Sequence, residues 1–230
     1  MVLNRNLVGA AVAALVVVAG LVAASLFLQR DDESAVPTTT GEAPVALFDG
    51  IPQEQAVLGA PAATVTLVLF EDLQCPVCRQ FVAEGLPGIV EEYVRPGKVK
   101  LRFAGLAFIG PDSEKALLHA IAAGTQGKLW QYTDLLYANQ GGENDGWVTD
   151  ELLVNLSGQL DLDHTKLTAD ADSQAVLQQA NAMATEGSQR EVPGTPWFYV
   201  QVGDAEPYEV RPGSFAIEEF RTILDDALDG

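Results

Sequence analysis

The stretch FEDLQCPVCRQF holds both cysteines of the chain, Cys75 and Cys78, two residues apart. Thiols at that spacing have three chemical uses: half of a metal site, a disulfide staple, or a redox pair. A structural zinc takes about four Cys or His ligands, usually as two close pairs. The two histidines, His119 and His164, each stand alone and read as packing or surface residues. A staple works mainly by constraining the unfolded chain, and a ring of four residues constrains it very little. The redox use fits the surroundings best.

Those surroundings are a strand before the pair and a helix after it. Val65 to Phe70 is a short, almost wholly apolar run rich in β-branched residues, as expected of a central strand covered on both faces. From Arg79 to Tyr93, the positions Phe81, Val82, Leu86, Ile89, Val90 and Tyr93 form a helical stripe with a kink expected at Pro87. If the helix starts at Pro76, whose missing N–H costs nothing at the first helical position, Cys75 becomes its cap. The Cys75 sulfur then sits at the positive end of the helix dipole beside unpaired N–H groups. Both favour thiolate over thiol and lower the pKa from about 8.5. Cys78, one turn on and facing inward, is expected to be shielded. Stabilising a thiolate stabilises the reduced form, which makes the disulfide an oxidant.

The positioning elements continue along the chain. Val99 to Phe103 reads as a second strand. Asp112-Ser113-Glu114 opens helical sequence with an acidic first turn suited to the dipole. That pattern runs to about residue 184, with breaks at 124–127 and 141–146. Trp197 to Val202 and Tyr208 to Val210 read as strands around a Gly203-Asp204 turn. Ser214 is expected to cap a last helix whose Phe215, Phe220, Ile223, Leu224 and Leu228 face inward. The predicted architecture is one α/β domain over 45–230 with a helical insertion at about 112–185. Trp130, Tyr132 and Tyr137 in that insertion read as core, with a peptide groove as the alternative. Glu71 and Asp72 read as solvated loop residues, with an approach to the sulfur, which would raise the thiol pKa and oppose the dipole, as the alternative.

The N-terminal part is of another kind. Residues 7–28 run without a charge. As a helix at about 1.5 Å per residue they are ~33 Å long, enough for a bilayer core of roughly 30 Å. The stretch exceeds a signal peptide's ~7–15 apolar residues, and Ala23-Ala24-Ser25 is followed by more apolar sequence, so an uncleaved anchor is expected. Arg5 precedes the span and acidic residues follow it, which puts 1–6 in the cytoplasm and the bulk of the chain outside. Residues 29–44, polar and rich in acid, Thr and Pro, read as a flexible tether. The formal net charge of −19 makes nucleic-acid binding untenable, because such a surface repels phosphates.

A second motif is Val192-Pro193-Gly194-Thr195-Pro196, just before the Trp-Phe-Tyr-Val strand. It resembles the cis-proline loop of the thioredoxin superfamily. Together with strand–C-P-V-C–helix and the helical block, it resembles the DsbA-type thiol–disulfide oxidoreductases, in particular their membrane-anchored bacterial members. The resemblance covers about 45–230 and implies a thioredoxin-like fold. It implies that Cys75 attacks, Cys78 resolves, Pro196 is the cis-proline packed on the pair, and Thr195 offers its backbone to an extended substrate chain. Pro76 and Val77, between the cysteines, tune the pair. It further implies a monomer that forms disulfides in unfolded exported proteins without cofactor or metal, reoxidised by a quinone-linked membrane partner of the DsbB or VKOR type. The sequence departs from the family pattern at Leu69, where a buried acid often stands six residues before the first cysteine. It departs again at Val77, where strong oxidases often carry His. A reductase or isomerase, and a binding module with an inert disulfide, remain as alternatives.

Overall fold

The computed structural model describes residues 44–230. The apolar stretch 7–28 and the tether up to residue 43 lie outside the described residues. Among the described residues, no helix is long and apolar enough to cross a membrane.

A short 3-10 turn, Pro44–Phe48, leads to strands β1 (Gln53–Glu54), β2 (Val57–Leu58) and β3 (Val65–Glu71). Helices α1 (Pro76–Glu84) and α2 (Leu86–Ile89) follow, then a π-helical turn Val90–Val94 and strand β4 (Val99–Gly105). The helical insertion comprises α3 (Pro111–Gly124), α4 (Leu129–Ala138), α5 (Asp150–Gln159), α6 (His164–Ala171) and α7 (Gln174–Gln189). Strands β5 (Trp197–Val202) and β6 (Tyr208–Val210) and helix α8 (Ile217–Asp229) complete the domain.

The six strands form one sheet in the order β1-β2-β4-β3-β5-β6. β3 lies at its centre, parallel to β4 from Val65↔Val99 to Glu71↔Gly105. It is antiparallel to β5 from Val65↔Val202 to Phe70↔Trp197. All seven residues of β3 are buried, Thr66 and Glu71 included, as expected of a mostly apolar strand covered on both faces. Val65, Leu67 and Leu69 enter the main core, whereas Val68 and Phe70 join a smaller cluster with Ala104, Leu106, Val192 and Tyr199. Gly105 lets α3 come close to β4, since a Cβ there would meet Leu117 Cδ1 at 2.2 Å.

Helix α1 is held to the sheet by an aromatic cluster. The Phe81 ring lies 4.9 Å from Phe198, 5.5 Å from Phe215 and 5.6 Å from Phe220, centroid to centroid. Tilted and edge-on pairs at such distances add to the area they bury. This cluster sets where the cysteine turn sits.

Several elements differ from the sequence expectation. The single helix expected through Tyr93 is broken at Gly85, where a Cβ would come within 2.9 Å of the Phe215 carbonyl, and restarts with Pro87 in its first turn. The insertion runs on to Gln189, because α7 continues through the expected end near 184–185. Strands β1 and β2 have two residues each and no local signature; β2 forms by pairing with Leu101 and Arg102 of β4, and β1 by pairing with β2. Ser214 does not cap α8. Phe215 is drawn into the aromatic cluster, which leaves Ala216 extended at the cap, and Ser214 Oγ only accepts a hydrogen bond from Ala216 N–H at 3.3 Å. Leu228, expected to face inward, is exposed near the frayed end of α8.

Candidate redox site

β3 delivers the chain to the cysteine turn at the edge of the core. Asp72 to Gln74 close a tight loop in which Cys75 N–H donates to the Asp72 carbonyl at 2.9 Å. Cys75 then caps α1 with extended backbone, and Pro76 occupies the first helical turn. The Cys75 sulfur accepts a hydrogen bond from Cys78 N–H at 3.4 Å. It lies 3.3 Å from the Thr195 carbonyl oxygen, to which its thiol can donate. The Thr195–Pro196 peptide bond is cis. The structure therefore brings together two segments 120 residues apart, the cysteine turn and the Gly-Thr-Pro loop. Val77 is 45% exposed beside them, Cys75 keeps 7% of its surface accessible, and Cys78 is fully buried. Both cysteines are free thiols.

The two thiols are driven in opposite directions. Cys75 is lowered from 9.0 to about 6, first by the hydrogen bond from the Cys78 thiol, then by Thr195 and the N–H groups of Cys78 and Val77, against the cost of burial. The sequence reading credited the helix end alone, whereas the partner thiol is the larger cause. Cys78 is pushed far up, chiefly by burial and by its hydrogen bond to Cys75. At neutral pH the first sulfur is thus mostly thiolate and the second holds its proton. Because Cys75 titrates below its unfolded value, its contribution to the stability of the reduced protein grows as pH rises from about 6 towards 9. That contribution disappears as pH falls through about 6.

Sequence reasoning missed the acid that serves this pair. Glu71, the last residue of β3, and Asp72 are both buried rather than solvated. Glu71 Oε2 accepts a hydrogen bond from the Tyr137 hydroxyl at 3.0 Å, and its Oε1 is buried without a partner. Burial pushes its carboxyl from 4.5 up to about 8, Tyr137 working against this and the nearby Cys75 charge adding to it. A carboxyl that keeps its proton at neutral pH, within the field of both cysteines, can give it to a departing thiolate and take it back. The signal was available: an acid closing a fully apolar strand lies next to covered positions. Here the acid stands four residues before Cys75, and Leu69 fills the site six before it with core packing.

Asp72 has another task. Its Oδ1 accepts from Gln74 N–H at 2.8 Å and from Ser113 Oγ at 2.6 Å. Its Oδ2 accepts from the N–H groups of Phe108 at 2.8 Å and Ile109 at 3.1 Å. One buried side chain thereby ties the cysteine turn to the loop after β4 and to the start of α3. The insertion adds Gln140, whose Nε2 donates to the carbonyls of Leu73 and Cys75 at 2.9 and 3.3 Å. Trp130, Tyr132 and Tyr137 are buried in the core; Tyr137 also lines a cavity with Arg79, Val82 and Pro87, and its hydroxyl donates to Glu71. His119 and His164 hydrogen-bond locally, to the Lys115 carbonyl and to Ser157 Oγ.

These values make a direct expectation. Thiolate absorbance of the reduced whole chain should rise with a midpoint near pH 6. Glu71→Gln should leave that midpoint nearly unchanged, because Glu71 is protonated through that range. The same variant should slow Cys78's part of the exchange about 100-fold, the lower range for loss of a general acid–base group. A midpoint near 9 would remove the activated sulfur from this account.

A twisted sheet with helices on both faces, and a C-x-x-C pair at a helix start against a cis-proline loop, define the class of thioredoxin-fold thiol oxidoreductases. The thioredoxin family model matches residues 52–226. The probable disulfide bond formation protein D of Bacillus anthracis is 32% identical over 157 residues, covering 66% of this chain and 72% of that one. Among solved structures, oxidised BdbD from Bacillus subtilis superposes with a TM-score of 0.66 at 24% identity, covering 78% of this chain and 98% of that chain. The alpha-DsbA1 of Wolbachia pipientis gives 0.65 at 17% identity, over 76% and 90% of the two chains; at such identities both structures speak for the fold alone. The chain belongs to the thioredoxin family, and within it is a thiol–disulfide oxidoreductase similar to the disulfide bond formation proteins D.

Proposed function

We propose that the chain forms disulfides in exported proteins on the outer side of a cell membrane, with residues 7–28 as its anchor and the N-terminus in the cytoplasm. The observation that carries this reading is the pairing of a capped, lowered Cys75 with a buried, raised Cys78. That difference stabilises the reduced pair at neutral pH and makes its disulfide a ready donor. The printed name of the Bacillus anthracis relative, a disulfide bond formation protein, points the same way.

In the oxidised protein, a substrate thiolate attacks the Cys75 sulfur. The Cys75–Cys78 bond breaks, Cys78 leaves as thiolate, and Glu71 supplies the proton it takes up. A second substrate thiolate then attacks the substrate's own sulfur in the mixed disulfide. Cys75 departs as a thiolate, a good leaving group because of its low pKa. The substrate has lost two electrons and two thiol protons; the protein now holds the electrons as one thiol and one thiolate. A quinone-linked membrane partner of the DsbB or VKOR type takes them up. Thr195 presents its backbone to the extended substrate, and Pro196 packs on the sulfurs. The working unit is a monomer.

The deciding experiment is the reduction potential of the Cys75–Cys78 pair in the whole chain, equilibrated in glutathione buffers. A value of about −120 to −180 mV supports the donor reading. A value near −270 mV reverses the direction to reductase, and one below about −300 mV marks an inert bridge.

A further inference from the structure

A groove of about 490 Å³ opens beside the redox pair, running from Val77 and Thr195 past Trp197 to Arg211. Its remaining walls, among them Phe198, Val210 and Phe215, are apolar or carry no charge, and Arg211 is the single charged side chain among the described residues that line it. In a chain of net charge −19 with 13 basic residues, this cation, paired with Glu209, stands against the surrounding field.

Arg211 keeps unpaired N–H groups there. The Arg211 guanidinium stacks 4.9 Å over the Trp197 ring, and its Nε donates to Glu209. Its two terminal nitrogens make no hydrogen bond among the described residues. Stacking holds the guanidinium plane while leaving the fork of N–H groups free for a carboxylate. Trp197 lines the groove beneath this guanidinium, and its Nε1 is buried with no partner among the described residues. Arg211 is ion-paired with Glu209 through Nε alone, which leaves its terminal N–H groups without an acceptor among the described residues, and both Arg211 and Trp197 belong to the segment that follows the Thr195–Pro196 loop.

We propose that this groove selects substrate polypeptides bearing an aspartate or glutamate close to the reacting cysteine, with Arg211 as the specificity-determining residue and Trp197 as its platform. The inference rests on the reading of the chain as an oxidoreductase of polypeptides and names which polypeptides it prefers. Long-range repulsion from the acidic surface disfavours acidic substrates as a class, so the preference is confined to the position that reaches Arg211. Glu209 competes with the substrate for the same guanidinium and sets the strength of the preference.

The test uses the oxidised whole chain and reduced peptides with one central cysteine. Glu, Gln or Lys is placed in turn at each of the three positions on either side. The rate at which each peptide opens the protein disulfide is followed by thiol trapping at about 0.15 M salt, where screening acts beyond about 8 Å. At one position Glu should exceed Gln about fivefold, the upper range for a partly exposed ion pair, and Lys should fall below Gln. Arg211→Gln should bring the Glu-to-Gln ratio to about one, Arg211→Glu should invert it, and Glu209→Gln should increase it. Circular dichroism of each variant establishes that it is folded. A ratio of one at every position, or a ratio unmoved by Arg211→Gln, overturns the proposal while leaving the oxidoreductase reading intact. If no peptide of any charge opens the disulfide faster than it reacts with glutathione disulfide, both fall together.

Discussion

Cys75→Ser is expected to reduce disulfide exchange to the uncatalysed background, while Cys78→Ala leaves a protein that reacts once and stops. The loss in the first variant is chemical rather than structural. Serine is among the best helix caps, and its oxygen can accept the Cys78 N–H now held by sulfur, so α1 should start where it does in the parent. A serine hydroxyl, however, stays protonated at neutral pH and forms no disulfide, whereas Cys75 titrates at about 6. In the second variant the accessible thiolate remains and the shielded thiol that would release the substrate is gone. Alanine suits the buried site, since it brings no unpaired hydroxyl into the core. Non-reducing electrophoresis after mixing with an oxidised model protein should show a mixed disulfide accumulating with Cys78→Ala and none with Cys75→Ser. The reverse pattern would exchange the roles of the two sulfurs. Turnover by both variants would move the chemistry elsewhere.

Asp72→Ala is expected to be the most damaging change outside the sulfurs. The carboxylate accepts from Gln74 N–H, Ser113 Oγ, Phe108 N–H and Ile109 N–H, and alanine leaves all four without it in a site closed to solvent. An unsatisfied buried donor costs roughly 1–3 kcal/mol, and partial relaxation of the loop brings the total to about 3–5 kcal/mol. For a domain of this size that is a fall in midpoint on the order of 10 °C. Asn at the same place keeps one oxygen but turns an N–H₂ group towards donors, so it should lie between Ala and the parent. The loop bearing Phe108, 55% exposed, should loosen against the cysteine turn, because Asp72 is the side chain that joins them. Thermal unfolding followed by circular dichroism checks the expectation, and a loss under about 1 kcal/mol would show the four hydrogen bonds to be replaceable.

The parts legible in the sequence share a short range. The β3 run, the Pro76 start of α1 with Cys75 as its cap, and the strands from Trp197 and Tyr208 each depend on residues within a turn or a pleat of one another. So did the choice of redox over metal or staple chemistry, which needed only the two cysteines, the proline and the following apolar stripe. The errors are of one kind as well. Glu71 and Asp72 looked like a solvated pair because polar residues after a strand usually are. They are covered by Tyr137 and by Phe108, Ile109 and Ser113, all distant in sequence. Ser214 had the right residue type for a cap, and the pull of Phe215 into the cluster around Phe81 moved the helix start past it. β2 exists because β4 offers it an edge, and β1 because β2 does, not because two residues prefer to be extended.

By itself, then, the sequence determined the chemistry on offer: two thiols at redox spacing, the first at a helix start, in an α/β chain with a loop matching Thr195-Pro196. Only the tertiary structure decided how that chemistry is tuned. It placed Thr195 against Cys75 across 120 residues, buried Glu71 with Tyr137 as its partner, and stacked Arg211 on Trp197 in the adjoining groove. The physical reason is that helix caps and strand runs are settled by local backbone preferences. Burial of a carboxylate, and with it a titration moved from 4.5 to about 8, depends on which distant segments exclude water from it.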